Sequence, residues 1–436
     1  MSLQFITGNS GNGKTKYLFN RIVKEAKANP RDNYLVIVPE QFTMQTQRQL
    51  VDLSENKAIM NIDVLSFKRL AYRVFDELGI TNLTVLEETG KNLVLRKLAA
   101  QEADKLGVIG RNLNRIGYIS EVKSLLSELV QYNISPEELG RYIASGRLSD
   151  TLSDKLKDVL VLYEAFEKFM QDKYITAEEI LNVLSNVAEE SAILRNSVIA
   201  FDEFTGFTPI QNQLIKKLFV ISKKIYVTLT IECREDIFKS RGMQELFDMP
   251  KRTVKSLTEM AAFYGIEVEE PIILDKNYRL AENEELSFME QQLFRKRRCS
   301  FKKVPKHIHI DCLRDPKQEL TKIARRINEL VRNENLRYRD IAIVTGDVNI
   351  YAGYVREIFD KYNIPYFIDA TQEILFHPFI EFIRSIPDIA AQHFSADAVF
   401  RFLRCGFTEL SAGEIDVLEN YVLACGVRGK SAWDKK

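Results

Sequence analysis

The chain has 436 residues, 45% of them hydrophobic, a length that holds roughly two to four domains with ample core. Lys plus Arg and Asp plus Glu both total 61, so the formal net charge is zero, and any nucleic-acid surface must be local rather than chain-wide. Five singly placed cysteines and the lack of a long apolar run exclude a disulfide frame and a spanning helix, and point to reduced thiols in a cytoplasmic protein with no membrane partner.

Residues 3–7 read as a short strand, and GNSGNGKT follows at once, comprising Gly8, Asn9, Ser10, Gly11, Asn12, Gly13, Lys14 and Thr15. Every fixed position of G-x-x-x-x-G-K-[ST] is filled. The glycines let successive backbone N–H groups turn toward phosphates, Lys14 adds a point charge, and the Thr15 hydroxyl is placed for Mg²⁺. Helical spacing over residues 16–28 puts the positive end of a helix behind the loop. The loop therefore predicts binding of ATP with Mg²⁺. Only seven residues precede Gly8, too few for a secretory signal.

Residues 35–38 and 62–65 read as buried parallel strands, the second running into a helix over 66–79. From about residue 87 to 185 the apolar spacing is helical throughout, and Ser135-Pro136-Glu137-Glu138 is a helix start. The sheet resumes at 197–201 and ends in Asp202-Glu203. Beside the loop, Asp202 would hold Mg²⁺ with Thr15, and Glu203 would polarise the attacking water. Residues 225–231 and 272–274 read as further strands, and His307 and His309 alternate on one solvated strand face. The basic run at residues 295–306 reads as a solvated linker or a local DNA-binding surface.

Three segments carry a resemblance. DEFTGFTPIQ (202–211) resembles motif II of superfamily 1 DNA helicases of the UvrD/PcrA/RecB group. VLSFKRLAYRVF (64–75) is similar to their segment that lies along DNA, and NYR (277–279) to their motif IV, which makes Arg279 an arginine-finger candidate. With VPEQFT (38–43), YRDIAIVTGD (338–347) and the IPYFID…HPFIEFIRS segment, the chain is identified as resembling the AddB family.

That resemblance implies an α/β fold of superfamily 1 helicase type, with tandem RecA-like parallel-sheet domains. Residues 1–82 and 191–275 would form the first, 83–190 a helical insertion, 276–380 the start of the second, and 381–436 the start of another helical insertion. It implies a longer protein, with a nuclease domain and its iron–sulfur cluster lying outside this chain. It also implies an AddA partner in a heterodimer and a role in processing double-strand DNA ends until a Chi sequence is met. Single- and double-stranded DNA would then be partners, contacted through Ser66, Phe67, Lys68, Arg69, Tyr72 and Arg73, which supply hydroxyl, basic and stacking groups. An ordinary amphipathic helix, with Phe67 in the core and its basic face solvated, accounts for that segment equally well.

Departures from an active motor are also present. No Gln-bearing segment precedes the loop, Thr205 stands where the helicases keep Gln, and the strand at 225–231 leads to ECREDIF rather than a Gln-bearing coupling motif. The sequence therefore predicts nucleotide binding with little or no turnover. An active superfamily 1 helicase and a phosphate-loop ATPase unrelated to DNA remain the alternatives.

Overall fold

A computed structural model describes residues 1–434 except 82–83, 109–115, 147, 171–173, 296–298 and 370–373. It divides into two compact units, Met1–His309 and Ile310–Lys436.

The first unit is built on a parallel sheet. In chain order come β1 (Ser2–Gly8), α1 (Lys14–Ala28), β2 (Tyr34–Ile37), α2 (Thr43–Leu53), β3 (Ile62–Leu65) and α3 (Phe67–Leu78). A helical body follows: β4 (Val85–Leu86), α4 (Glu88–Gln101), α5 (Ile116–Gln131), α6 (Pro136–Ala144), α7 (Asp150–Met170) and β5 (Ile175–Thr176). The chain then returns through α8 (Ile180–Val187), β6 (Val198–Phe201), α9 (Pro209–Ile221) and β7 (Lys224–Thr230). It finishes with α10 (Asp248–Phe263), β8 (Glu267–Val268), β9 (Ile272–Leu274) and α11 (Glu284–Gln292). The sheet order is β3-β2-β6-β7-β1-β8, with β9 also pairing β1, and every ladder is parallel.

Strand periodicity explains why these runs are apolar without alternation. Leu35 and Ile37 join a core with α3, α8, α9 and α10, whereas Tyr34 and Val36 join a second core with α1 and α2. Both faces are covered, so both sets of side chains must be apolar. The strand carrying the phosphate-loop motif (β1) and the strand ending at Asp202 (β6) flank β7, so their C-terminal ends open on one side of the sheet.

The helical body packs around Leu95, Leu126, Leu162 and Phe166. The expected helix start is present, with Pro136 in the first turn, and Ser135 and Glu138 add a capping box. The chain enters and leaves this body through the short parallel pair of β4 with β5. Helix α8, assigned to the helical stretch from spacing, packs with the sheet through Ile180 and Leu184. The Lys91 ammonium is buried but paired with Glu178 at 2.7 Å and Glu88 at 2.9 Å, which ties α4 to the segment before α8.

The second unit contains α12 (Pro316–Asn333), α13 (Val348–Lys361), α14 (Pro378–Ala391), α15 (Ala396–Leu403), α16 (Ala412–Cys425) and α17 (Lys430–Trp433). Leu320, Ala324, Ile327, Ile358 and Phe359 knit α12 to α13. Among its described residues no strand forms. The strand expected around His307 and His309 is also absent. Both side chains are exposed, and the backbone N–H groups of Lys306 and His307 bond the Glu285 carboxylate instead of a neighbouring strand.

Candidate functional site

The loop between β1 and α1 is shaped by glycine. At Gly11, φ is 87°, and a Cβ would sit 2.8 Å from both Arg279 Cβ and Asn277 Oδ1. At Gly8 a Cβ would meet the Leu274 carbonyl at 2.5 Å. Only glycine lets residues 274–279 press this closely on the loop.

Lys14 opens α1, and its ammonium donates to the carbonyls of Gly8 (3.1 Å) and Asn9 (3.0 Å). Burial pushes this ammonium below its ordinary range, while Glu203 and Asp202 pull it back up and Arg279 adds to the fall. Thr15 Oγ1 lies 3.3 Å from Asp202 Oδ1 and 3.4 Å from Glu203 Oε1. The motif and the Asp-Glu pair, 187 residues apart in the chain, thus meet in space.

Asp202 is buried at the end of β6, where Thr228 of β7 donates to its Oδ1. Its Oδ2 is also buried and has no protein partner. Burial raises the carboxyl above its ordinary range, the Thr228 hydroxyl opposes the rise and the nearby Glu203 charge adds to it. Glu203 itself has φ of 64°, a left-handed conformation that costs a non-glycine residue about 1–3 kcal/mol. Its exposed carboxylate faces a cavity of about 650 Å³ shared with Lys14, Thr15, Asp202, Tyr278 and Arg279. Arg279 reaches this cavity because the backbone N–H groups of Tyr278 and Arg279 both donate to Gly11 O, at 3.0 and 3.3 Å.

Two loop side chains have other partners. Asn9 and Asn12 are buried away from the cavity, and the Asn12 amide donates to Leu274 O at 2.5 Å. The Asn9 amide donates to Glu290 and accepts from the Cys233 backbone, both at 2.9 Å. They brace the loop through their side chains. Gln211 is the capping partner of Thr208 at the start of α9.

The expected DNA-facing segment is divided. Phe67 is only 7% exposed and packs among Phe201, Phe204 and Phe207, so its ring is a core side chain and not a free stacking platform. Ser66 caps α3, accepting from Arg69 N, and its hydroxyl donates to Glu40. Lys68, Arg69, Tyr72 and Arg73 are exposed on one side of α3. Arg69 pairs with Glu40 at 2.9 Å, and Arg73 lies 3.9 Å from Asp63. The basic run at 295–306 lies partly outside the described residues; within it Arg295 pairs with Glu232 and Lys303 with Glu284.

Sequence reasoning missed Thr228, Glu40 and Glu290. A polar residue between the buried apolar Val227 and Leu229 of β7 is a signal that finds Thr228. Glu40 and Glu290 carry no such mark, because their partners are set by the fold. Among the described residues no helix is long and apolar enough to cross a membrane.

The family described as "ADDB, N-terminal" matches residues 5–290. The chain is 38% identical over its whole length to the ATP-dependent helicase/deoxyribonuclease B subunit of Lachnoclostridium phytofermentans. It is 34% identical to the proteins of the same name from Clostridium tetani and Clostridium acetobutylicum. It spans 39%, 39% and 38% of those three relatives.

Proposed function

The chain belongs to the AddB family, and from this we propose that it is the nucleotide- and DNA-binding portion of a helicase/deoxyribonuclease B subunit. Its parallel sheet is read as the first of two RecA-like domains of superfamily 1 type, with α12 and α13 belonging to the second. The observation that carries the nucleotide reading is the convergence of Lys14, Thr15, Asp202, Glu203 and Arg279 on one cavity.

The loop amides and Lys14 would hold the phosphates of ATP, and Thr15 with Asp202 the Mg²⁺, which supplies charge neutralisation at the phosphates. The buried, unpartnered Asp202 Oδ2 fits this assignment, since a carboxylate oxygen in that position needs a cation or water. A hard cation with few protein ligands leans on phosphate oxygens and water for the rest. Glu203, held in a strained backbone with its carboxylate at the cavity, would orient and polarise the attacking water, and Arg279 would steady charge on the phosphates.

The wider role is the family's: a B subunit working with an AddA partner on double-strand DNA ends, holding the displaced strand and its Chi sequence. ECREDIF stands after β7 where a motor carries its Gln-bearing coupling motif, so the chain should bind ATP–Mg²⁺ while turning it over very slowly, without stimulation by DNA. Steady-state hydrolysis with and without single-stranded DNA tests this. Turnover of about several per second or more, the ordinary range for working enzymes, stimulated by DNA and lost in Glu203→Gln, would identify an active motor instead. DNA binding that does not weaken as salt rises would count against phosphate contacts and favour an ATPase unrelated to DNA.

A further inference from the structure

Residues 274–295 run as a strap against the phosphate loop. Leu274 O meets Asn12, the Asn277 amide donates to Ser10 O at 3.0 Å, and Tyr278 and Arg279 donate to Gly11 O. α11 adds Glu290, which accepts from the Asn9 amide at 2.9 Å. Arg295 then pins the end of the strap to Glu232 at 2.7 Å and lies over the Phe247 ring.

Within this set the Asn9–Glu290 bond stands out. Asn9 is 5% exposed, and its amide is fixed at both ends: Oδ1 takes the Cys233 N–H while Nδ2 gives to Glu290. One loop side chain thereby joins the segment after β7 to the last helix of the unit. The Asn9 carbonyl also receives the Lys14 ammonium, and the Glu290 carboxylate is close enough to act on that ammonium. A carboxylate is an odd neighbour for a phosphate-binding lysine, because it repels the ligand that the lysine attracts.

We propose that Glu290, positioned by Asn9, sets the discrimination between nucleoside triphosphate and diphosphate at the loop and makes α11 responsive to which one is bound. The inference rests on the nucleotide-binding reading. A triphosphate drawn to Lys14 brings several negative charges into the field of Glu290 and takes Lys14 from the Asn9 carbonyl. Both effects weaken the Asn9–Glu290 bond and loosen α11 from the loop. A diphosphate also engages Lys14 through its β-phosphate, but it brings less charge into the field of Glu290 and weakens the bond less. The cost of releasing α11 therefore falls mainly on triphosphate binding.

The test compares the whole chain with its Glu290→Gln variant, which keeps an oxygen to accept from Asn9 and removes the charge. Calorimetry with a non-hydrolysable ATP analogue and with ADP, both with Mg²⁺, should show the variant favouring the triphosphate by an extra threefold to tenfold, about what a partly screened like-charge contact accounts for. Hydrogen exchange should show residues 284–292 losing more protection in the unchanged chain on adding the triphosphate analogue than on adding ADP. In Glu290→Gln that difference should disappear. An unchanged affinity ratio in a variant that still binds both nucleotides overturns the proposal and leaves nucleotide binding intact. If the unchanged chain binds neither nucleotide, the binding reading falls and takes this proposal with it.

Discussion

The phosphate loop and the start of α3 both gather polar side chains at the end of a parallel strand, yet they use them in opposite ways. Around the loop, Lys14 and Thr15 at the start of α1 and Asp202 at the end of β6 are partly or wholly buried, and one carboxylate oxygen is left without a partner. At α3, Arg69 and Arg73 are more than half exposed and already face Glu40 and Asp63. The first arrangement gathers charged groups of both signs in a partly buried hollow, whereas the second leaves its ion pairs in water. Mutation should therefore hit the loop hard and α3 gently.

The largest effect is expected for Lys14→Ala. Removing the ammonium should weaken ATP–Mg²⁺ binding by about a hundredfold or more, as deletion of a charged partner does in a confined site. Isothermal titration would read it directly. Binding that survived unchanged would remove the contrast between the two regions.

Asp202→Asn comes next, and its two effects have opposite signs. Burial holds the Asp202 carboxyl above its ordinary range, so its protonation favours the fold. That contribution is complete in acid and is lost as pH rises through the raised value. Asn removes the charge. The variant should be more stable than the unchanged chain at pH values above the raised one, where the carboxyl would be a buried charge, with the gain shrinking as pH falls through it. It should at the same time lose about tenfold in Mg²⁺–nucleotide affinity, the size of a lost charged contact. Thermal melts across pH, with and without nucleotide, separate the two; a variant less stable above the raised value would contradict the charge argument.

The smallest effect is expected for Glu40→Gln. The Ser66 hydroxyl, and after it Arg69, holds the Glu40 carboxyl below its ordinary range, so the pair is formed at neutral pH. Freeing Arg69 should strengthen single-stranded DNA binding by about twofold to fivefold at low salt, the gain fading as salt rises. Stability should change by less than about 1 kcal/mol, since the pair is exposed. Fluorescence polarisation with no change at any salt concentration would take Arg69 off the DNA path.

What the sequence made legible follows the same division. Loop spacing constrains backbone geometry within eight residues, so the motif announced the cavity, and apolar runs of four residues announced the buried strands β2 and β6. The meeting of Thr15 with Asp202 followed from combining those two signals. The left-handed backbone of Glu203 was not legible, because nothing in its identity asks for it; the surrounding fold imposes it. Nor were the bonds from Asn9 to Glu290 and from Arg69 to Glu40, which join residues far apart in sequence through contacts any polar side chain could make. Phe67 shows the limit from the other side: its residue type fits a DNA base and a core equally, and only the cluster of Phe201, Phe204 and Phe207 decides. The expected strand around residues 307–309 failed because alternation describes a capacity to pair, while a strand exists only where a neighbour takes its backbone groups.

The two-residue ladder of β4 with β5 has a consequence for how the first unit folds. Strand β2 must find β6 across more than 160 residues, a separation that makes parallel pairing slow because the closure entropy comes before any contact offsets it. The helices between them are local in sequence and form their own core. When they condense, Val85 and Ile175 become neighbours, and the long intervening chain behaves kinetically as a short bridge between β3 and β6. The body is thus also a clamp that shortens the search: weakening its core should slow assembly of a sheet that its side chains do not form.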